Sequence, residues 1–231
     1  MRTNILTAVV LLSATVAASP ALKPKQDERL QMAGSVLREL RSAPDKGVPD
    51  SLWDSAKCVA VIPSVTKAAF MIGGEYGKGV VSCRVGDGWS APAFLELAKG
   101  SFGLQLGGES VDLVLFVMNE RGIDHMLQDK VMLGGEASVA GGPVGRDARA
   151  STDVQLRAEI LSYSRARGLF AGLDLTGGML RADSDANEQY YGESATPREI
   201  LTRASMEATM PAAARTLVST LEQTVQAASK R

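Results

Sequence analysis

The sequence predicts an α+β fold: a mainly antiparallel, strongly twisted or barrel-like β-sheet with flanking N- and C-terminal helices. Three observations predict it. Apolar residues recur at helical spacing mainly towards the two ends of the 231-residue chain; the middle is a series of short apolar runs punctuated by glycine; and the last three runs, between 159 and 182, follow one another with almost no linker. Antiparallel strands can be joined that tightly, whereas parallel neighbours need a crossover of about a dozen residues.

At the N-terminus, Arg2 precedes an apolar run from Ile5 to about Val16, then Ala17, Ala18 and Ser19 beside Pro20. This layout reads as a cleavable signal peptide over 1–21, and the run is shorter than the roughly 20 residues a membrane-spanning helix needs. The expectation is an exported chain, periplasmic or extracellular, in which 22–231 form a single domain with a core of about 30–205 and a C-terminal helical extension of about 206–231.

Leu30, Ala33, Val36, Leu37 and Leu40 share one helical face, which predicts an amphipathic helix over about 26–42 that Pro44, Gly47 and Pro49 end. Asp50 is expected to cap a short helix, SLWDSAK. Strands are expected at 58–62, 67–73, 79–84, 102–107 and 111–118, with Pro63 breaking the first pair. GGEYGKG (73–79) reads as a hairpin reversal whose glycines supply positive φ. NERGIDHMLQD (119–129) has helical spacing, and strand character returns at KVMLGG, EASVAG, EILSYSR, GLFAGLDL and GGMLRA. TPRE (196–199) is a capping box with proline at the first helical position, and Pro211 divides that helix from a last amphipathic one on which Leu217, Leu221 and Val225 share a face.

With 25 Lys+Arg against 26 Asp+Glu, bulk charge does not recruit nucleic acid. A single histidine rules out two-histidine metal centres. Ser110, Asp112 and His125 are the nearest residues to a catalytic triad, and His125 reads as an ordinary polar helix position. Gly77-Lys78 lacks phosphate-loop spacing. DSDANE (183–188) opens like a calcium loop but has Glu188 where the EF-hand needs glycine. No catalytic residue, metal ligand or cofactor is therefore expected. Cys58 and Cys83, the only cysteines, are either a disulfide or two buried thiols.

GGPVGRDARA (141–150) and YSRARG (163–168) place arginines among glycines and beside an aromatic residue. Guanidinium groups suit bidentate binding of phosphate or carboxylate, and glycines expose backbone N–H groups to an anion. Internal pairing with Asp147, Asp153 and Glu159 is the competing use.

The segments 56–84, 88–122, 133–150 and 160–180, with the late YYG at 190–192, resemble in order the SYLF family, also called the Ysc84-related lipid-binding domain, and specifically its bacterial exported branch. The resemblance covers about residues 30–205. It implies a non-enzymatic domain that binds membrane lipid, phosphoinositides in eukaryotic relatives, some of which also bind actin. For an exported bacterial chain the implied ligand is an anionic lipid or amphiphile headgroup of the cell envelope, bound peripherally through Lys67, Lys78, Arg146, Arg149, Arg165 and Arg167. The alternatives are a structural or interaction module with an envelope protein partner, and a hydrolase whose acids would come from Glu75, Glu96, Glu109, Glu136 and Asp147.

Overall fold

The structure is a computed structural model that describes residues 23–42, 48–70, 72–102, 107–143, 157–166, 169–192, 195–202 and 210–229. The first helix, α1 (Lys23–Ser42), buries Leu30, Ala33, Val36, Leu37 and Leu40, the face its spacing predicts. In α2 (Asp50–Ser55), Pro49 takes the capping position, and Asp50 lies within the first turn, paired with Arg41. Asp50 is thus not the cap expected of it. Arg84 closes the other end of α2, donating to the carbonyls of Ala56 at 2.8 Å and Trp53 at 3.1 Å while its guanidinium lies 4.8 Å from the Trp89 ring centre. A cation on the last carbonyls of a helix satisfies orphan acceptors and opposes the helix dipole.

Among the described residues ten strands follow: β1 (Cys58–Phe70), β2 (Ile72–Val85), β3 (Gly88–Trp89), β4 (Ala93–Phe102), β5 (Gly107–Val117), β6 (Lys130–Met132), β7 (Val139–Gly141), β8 (Ile160–Ala166), β9 (Leu169–Gly172) and β10 (Gly178–Ala182). Their order in the sheet is β6-β10-β4-β2-β1-β5-β8-β7, with β3 on β2 and β9 on β8. The named pairs are antiparallel except β7 with β8. The sheet curls into a half-barrel flanked by helices at both chain ends, as the sequence predicts. Leu113 to Val117 are all fully buried, so both faces of β5 are covered in its second half.

Two expectations are corrected in β1 and β2. Pro63 does not break the first strand; it sits in a bulge, where the register shifts between Ile62 and Val65 and Ser64 takes φ 52°. Nor is GGEYGKG a reversal: the chain turns between Phe70 and Ile72, and 73–79 lie within β2. The glycines serve close approach instead. A Cβ on Gly79 would stand 2.3 Å from the Val61 carbonyl oxygen, and one on Gly77 would stand 2.6 Å from Val65 Cγ2. The strand expected at 102–107 falls mostly outside the described residues, which stop at Phe102 and resume at Gly107.

Cys58 and Cys83 are register partners across β1 and β2, and a disulfide joins them. Helix α3 (Glu120–Met126) is capped by Asn119, which accepts from the Gly122 N–H. Helix α4 (Ser184–Tyr191) is capped by Asp183, so DSDANE is a helix start. In α5 (Pro197–Thr202), Thr196 and Glu199 bond reciprocally, the capping box read from sequence. Helix α6 (Ala212–Ser229) packs on α1 and α2 and sends Leu217, Leu221 and Val225 into the core.

Candidate functional site

Residues facing each other across a ladder share a face of the sheet, so register alone groups side chains into transverse rows. One row pairs Val80 with Phe94 and ends at Asp183, whose N–H bonds the Phe94 carbonyl. Helices cover it: Phe94 is buried beneath Arg29 of α1 at 5.2 Å and Tyr190 of α4 at 5.1 Å.

Two residues further along each strand comes a charged row, in which Lys78 (β2) faces Glu96 (β4), Glu96 faces Arg181 (β10), and Arg181 faces Lys130 (β6). Glu96 is its centre. The carboxylate is 6% exposed and accepts from Tyr76 Oη at 2.9 Å, Lys78 Nζ at 2.7 Å and Arg181 Nε at 2.8 Å. Lys78 also reaches Asp183 at 3.0 Å, which in turn holds Arg29 at 2.9 Å. Burial by itself would raise the Glu96 carboxyl, but the hydrogen bonds from Lys78, Arg181 and Tyr76 outweigh it and bring it down to about 2. Burial likewise opposes the charge on Lys78, and its bonds to Glu96 and Asp183 win, raising its pKa. A carboxylate so firmly ionised is unfit as the acid of a hydrolase.

Glu96→Gln is expected to cost about 1.5–3 kcal/mol at neutral pH, the range for hydrogen bonds to a charged group. The sign with pH follows from the depressed carboxyl. Its contribution is complete above the ordinary value of 4.5 and is lost as pH falls through about 2. Urea denaturation from pH 7 to pH 2 should show the two proteins converging at the acid end.

On the other side of the β1 bulge, Arg165 of β8 faces Asp112 of β5. Arg165 Nε donates to Asp112 at 2.8 Å, and the same guanidinium pairs with Glu39 of α1. Asp112 spends its other oxygen on the Ser64 N–H at 2.9 Å, tying down the bulge. Asp112 and Ser110 do not meet His125, which lies 3.6 Å from Glu159.

Of the six cations expected to hold an anion, Lys78 and Arg165 are thus each bound to carboxylates, Lys78 keeping 42% of its side chain exposed and Arg165 20%. Lys67 is a register partner of Glu75 and Glu109. Arg146, Arg149 and Arg167 lie outside the described residues. The glycines at the start of GGPVG do not present N–H groups to a ligand: Gly142 N–H bonds the Ser162 carbonyl, and a Cβ on Gly142 would stand 2.1 Å from Tyr163 Cζ.

Sequence reasoning singles out neither Tyr76 nor Arg181 nor Lys130. A signal was present: Tyr-x-Lys at 76–78, Met-x-Arg at 179–181 and Lys-x-Met at 130–132 each set a cation two residues from a large apolar or aromatic side chain. Only the register shows that the three pairs align. Among the described residues, no group of His, Cys, Asp and Glu could hold a metal ion, and no helix is long and apolar enough to cross a membrane.

Residues 98–224 match the Ysc84 family, described as Las17-binding protein actin regulator. The chain is 34% identical to the SH3 domain-containing YSC84-like protein 1 of Bos taurus, over 73% of this chain and 51% of that protein. It is 34% identical to Protein YSC84 of Saccharomyces cerevisiae over 77% of this chain and 38% of the relative, and 34% identical to LAS seventeen-binding protein 3 of the same species over 68% and 35%. The chain therefore spans about half the length, or less, of the curated relatives it matches. These relatives are eukaryotic, which corrects the assignment to a bacterial exported branch. The periplasmic, envelope or extracellular placement is corrected with it. That placement rested on the composition of residues 1–21, which lie outside the described residues.

Proposed function

The chain belongs to the Ysc84 family, and from that premise we propose that it binds anionic membrane lipid peripherally through the exposed cations of the charged row. It is a non-enzymatic protein. The observation that carries the proposal is the alignment of Lys78, Arg181 and Lys130 on one face, the first two with 42% and 56% of their side chains exposed and Lys130 exposed as well. Glu96 neutralises one of these three cations and orients two of them. An anionic bilayer attracts such residues at about 1 kcal/mol each, within a Debye length. Lys67, Arg146, Arg149 and Arg167 belong to the proposal as further cationic contributors.

The test is sedimentation of the full chain with vesicles of phosphatidylcholine alone and of phosphatidylcholine with phosphatidylserine, at low and physiological salt. Binding should require the anionic lipid and weaken with salt. Lys130→Ala with Arg181→Ala should lower the affinity about tenfold or more, and Arg146→Ala with Arg149→Ala should lower it further. Equal binding by all three proteins would remove these residues from the site.

The pairing of Arg165 with Asp112 and Glu39 supports a second reading, a protein-interaction module in which the arginines serve the fold. Its partner would be a protein of the Las17 kind, which the family description names as bound. It predicts no sedimentation with either vesicle.

A further inference from the structure

Beyond the charged row lies a third. Two residues further along the same strands, Tyr76 faces Ala98, Ala98 faces Met179, and Met179 faces Met132. This row shares its face with Lys78, Glu96, Arg181 and Lys130, because alternate residues of a strand point the same way. Its two ends are uncovered, and Ala98 and Met179 between them are half-buried. Tyr76 is 45% exposed and Met132 38%, and these are two of the three large hydrophobic residues exposed among those described. The next pair outward is Gly74 with Gly100, and a Cβ on Gly100 would meet nothing within 4 Å. No side chain of that pair walls the strip off.

We propose that Tyr76, Ala98, Met179 and Met132 form the strip by which the protein enters the interfacial layer of an anionic bilayer, with Lys78, Arg181 and Lys130 held at headgroup level behind it. The inference rests on the lipid-binding reading above and adds where and how the contact is made.

Two strand residues span about 7 Å, so the cations sit about 7 Å behind the apolar side chains. An interfacial element buries its apolar side about 5–10 Å into the headgroup and acyl boundary. The order is also the required one: covered core, then cations, then an exposed aromatic and two methionines. Tyrosine suits such a boundary because its ring is apolar and its hydroxyl polar, and here the hydroxyl is bonded to Glu96 on the side of the cations. Size argues against a second copy of the chain as occupant. Four strands span about 14 Å, so one row offers roughly 100 Å², far below the roughly 800 Å² per partner of a stable protein interface.

The experiment uses the full chain, with Tyr76→Ser and Met132→Ser together, on the phosphatidylserine-containing vesicles. Circular dichroism and thermal melting establish that the variant folds. Parent binding should keep a component that resists raised salt, and the variant should bind about tenfold more weakly with that component gone. As a reporter that leaves the strip apolar, Met132→Trp should add emission that shifts to the blue on vesicles and is quenched by lipid brominated near the headgroup. Undiminished binding by the double variant overturns the inference and leaves the lipid-binding reading in place. So does added emission from the bound Met132→Trp variant that neither shifts nor is quenched. Failure of the parent to bind any vesicle overturns both. Self-association of the parent that Tyr76→Ser with Met132→Ser abolishes, without vesicle binding, would assign the strip to a second copy instead.

Discussion

Replacing Gly79 by alanine is expected to destabilise the protein by about 3 kcal/mol or more, a large fraction of a typical domain's stability. The added methyl would lie 2.3 Å from the Val61 carbonyl oxygen and 2.8 Å from Ile62 Cα, both main-chain atoms of the neighbouring strand. No rotamer change relieves a clash with backbone. The strands approach this closely beside the β1 bulge, which Asp112 and the Arg165 pair hold in place, so separating them would disturb the middle of the sheet. Gly100→Ala is the internal control, since its Cβ meets nothing within 4 Å; it should be close to neutral. Urea midpoints of the two variants against the parent decide the matter, and equal midpoints would show that the sheet yields where the packing says it cannot.

Trp53→Ala is expected to cost about 3–5 kcal/mol. The side chain has no exposure, and its ring meets Phe116 edge-on at 4.7 Å, which in turn meets Tyr163 edge-on at 5.6 Å. With so few aromatic residues in the chain, these three form much of the bulk joining α2 to the sheet. Trp53 Nε1 has no hydrogen-bond partner among the described residues, so its contribution is packing alone, and Trp53→Phe should recover most of the loss. Thermal melting of the two variants separates the predictions: an alanine variant as stable as the phenylalanine one would mean that the site collapses around the cavity.

The two terminal amphipathic helices are legible in the sequence because helical periodicity is a local property. The residues predicted to face inward on α1 and α6 are the ones buried. Thr196 belongs to the same class, its capping box closing within four residues of chain, whereas Pro49 takes the position expected of Asp50. The glycine-rich stretch at 73–79 misleads for the converse reason. Glycine is demanded both by positive φ and by close contact, and here the demand comes from Val61, Ile62 and Val65 on the neighbouring strand. Pro63 misleads similarly, because a bulge gives a proline a place inside a long strand.

The family resemblance points to Lys78 and Arg165 as ligand contacts, and it does not reveal the carboxylates that each also holds. Their principal partners, Glu96 and Asp112, lie 18 and 53 positions away in the chain, and no local pattern specifies such pairs. The sequence by itself determined the α+β class, the mainly antiparallel pairing, the two terminal helices and the membership of a binding family, because periodicity, tight linkers and motif order are written along the chain. Tertiary structure alone decided that Tyr76, Ala98, Met179 and Met132 form one row, exposed at Tyr76 and Met132, beside Lys78, Glu96, Arg181 and Lys130, because register between strands distant in sequence is set by packing, and a shift of one residue would send every one of these side chains to the opposite face.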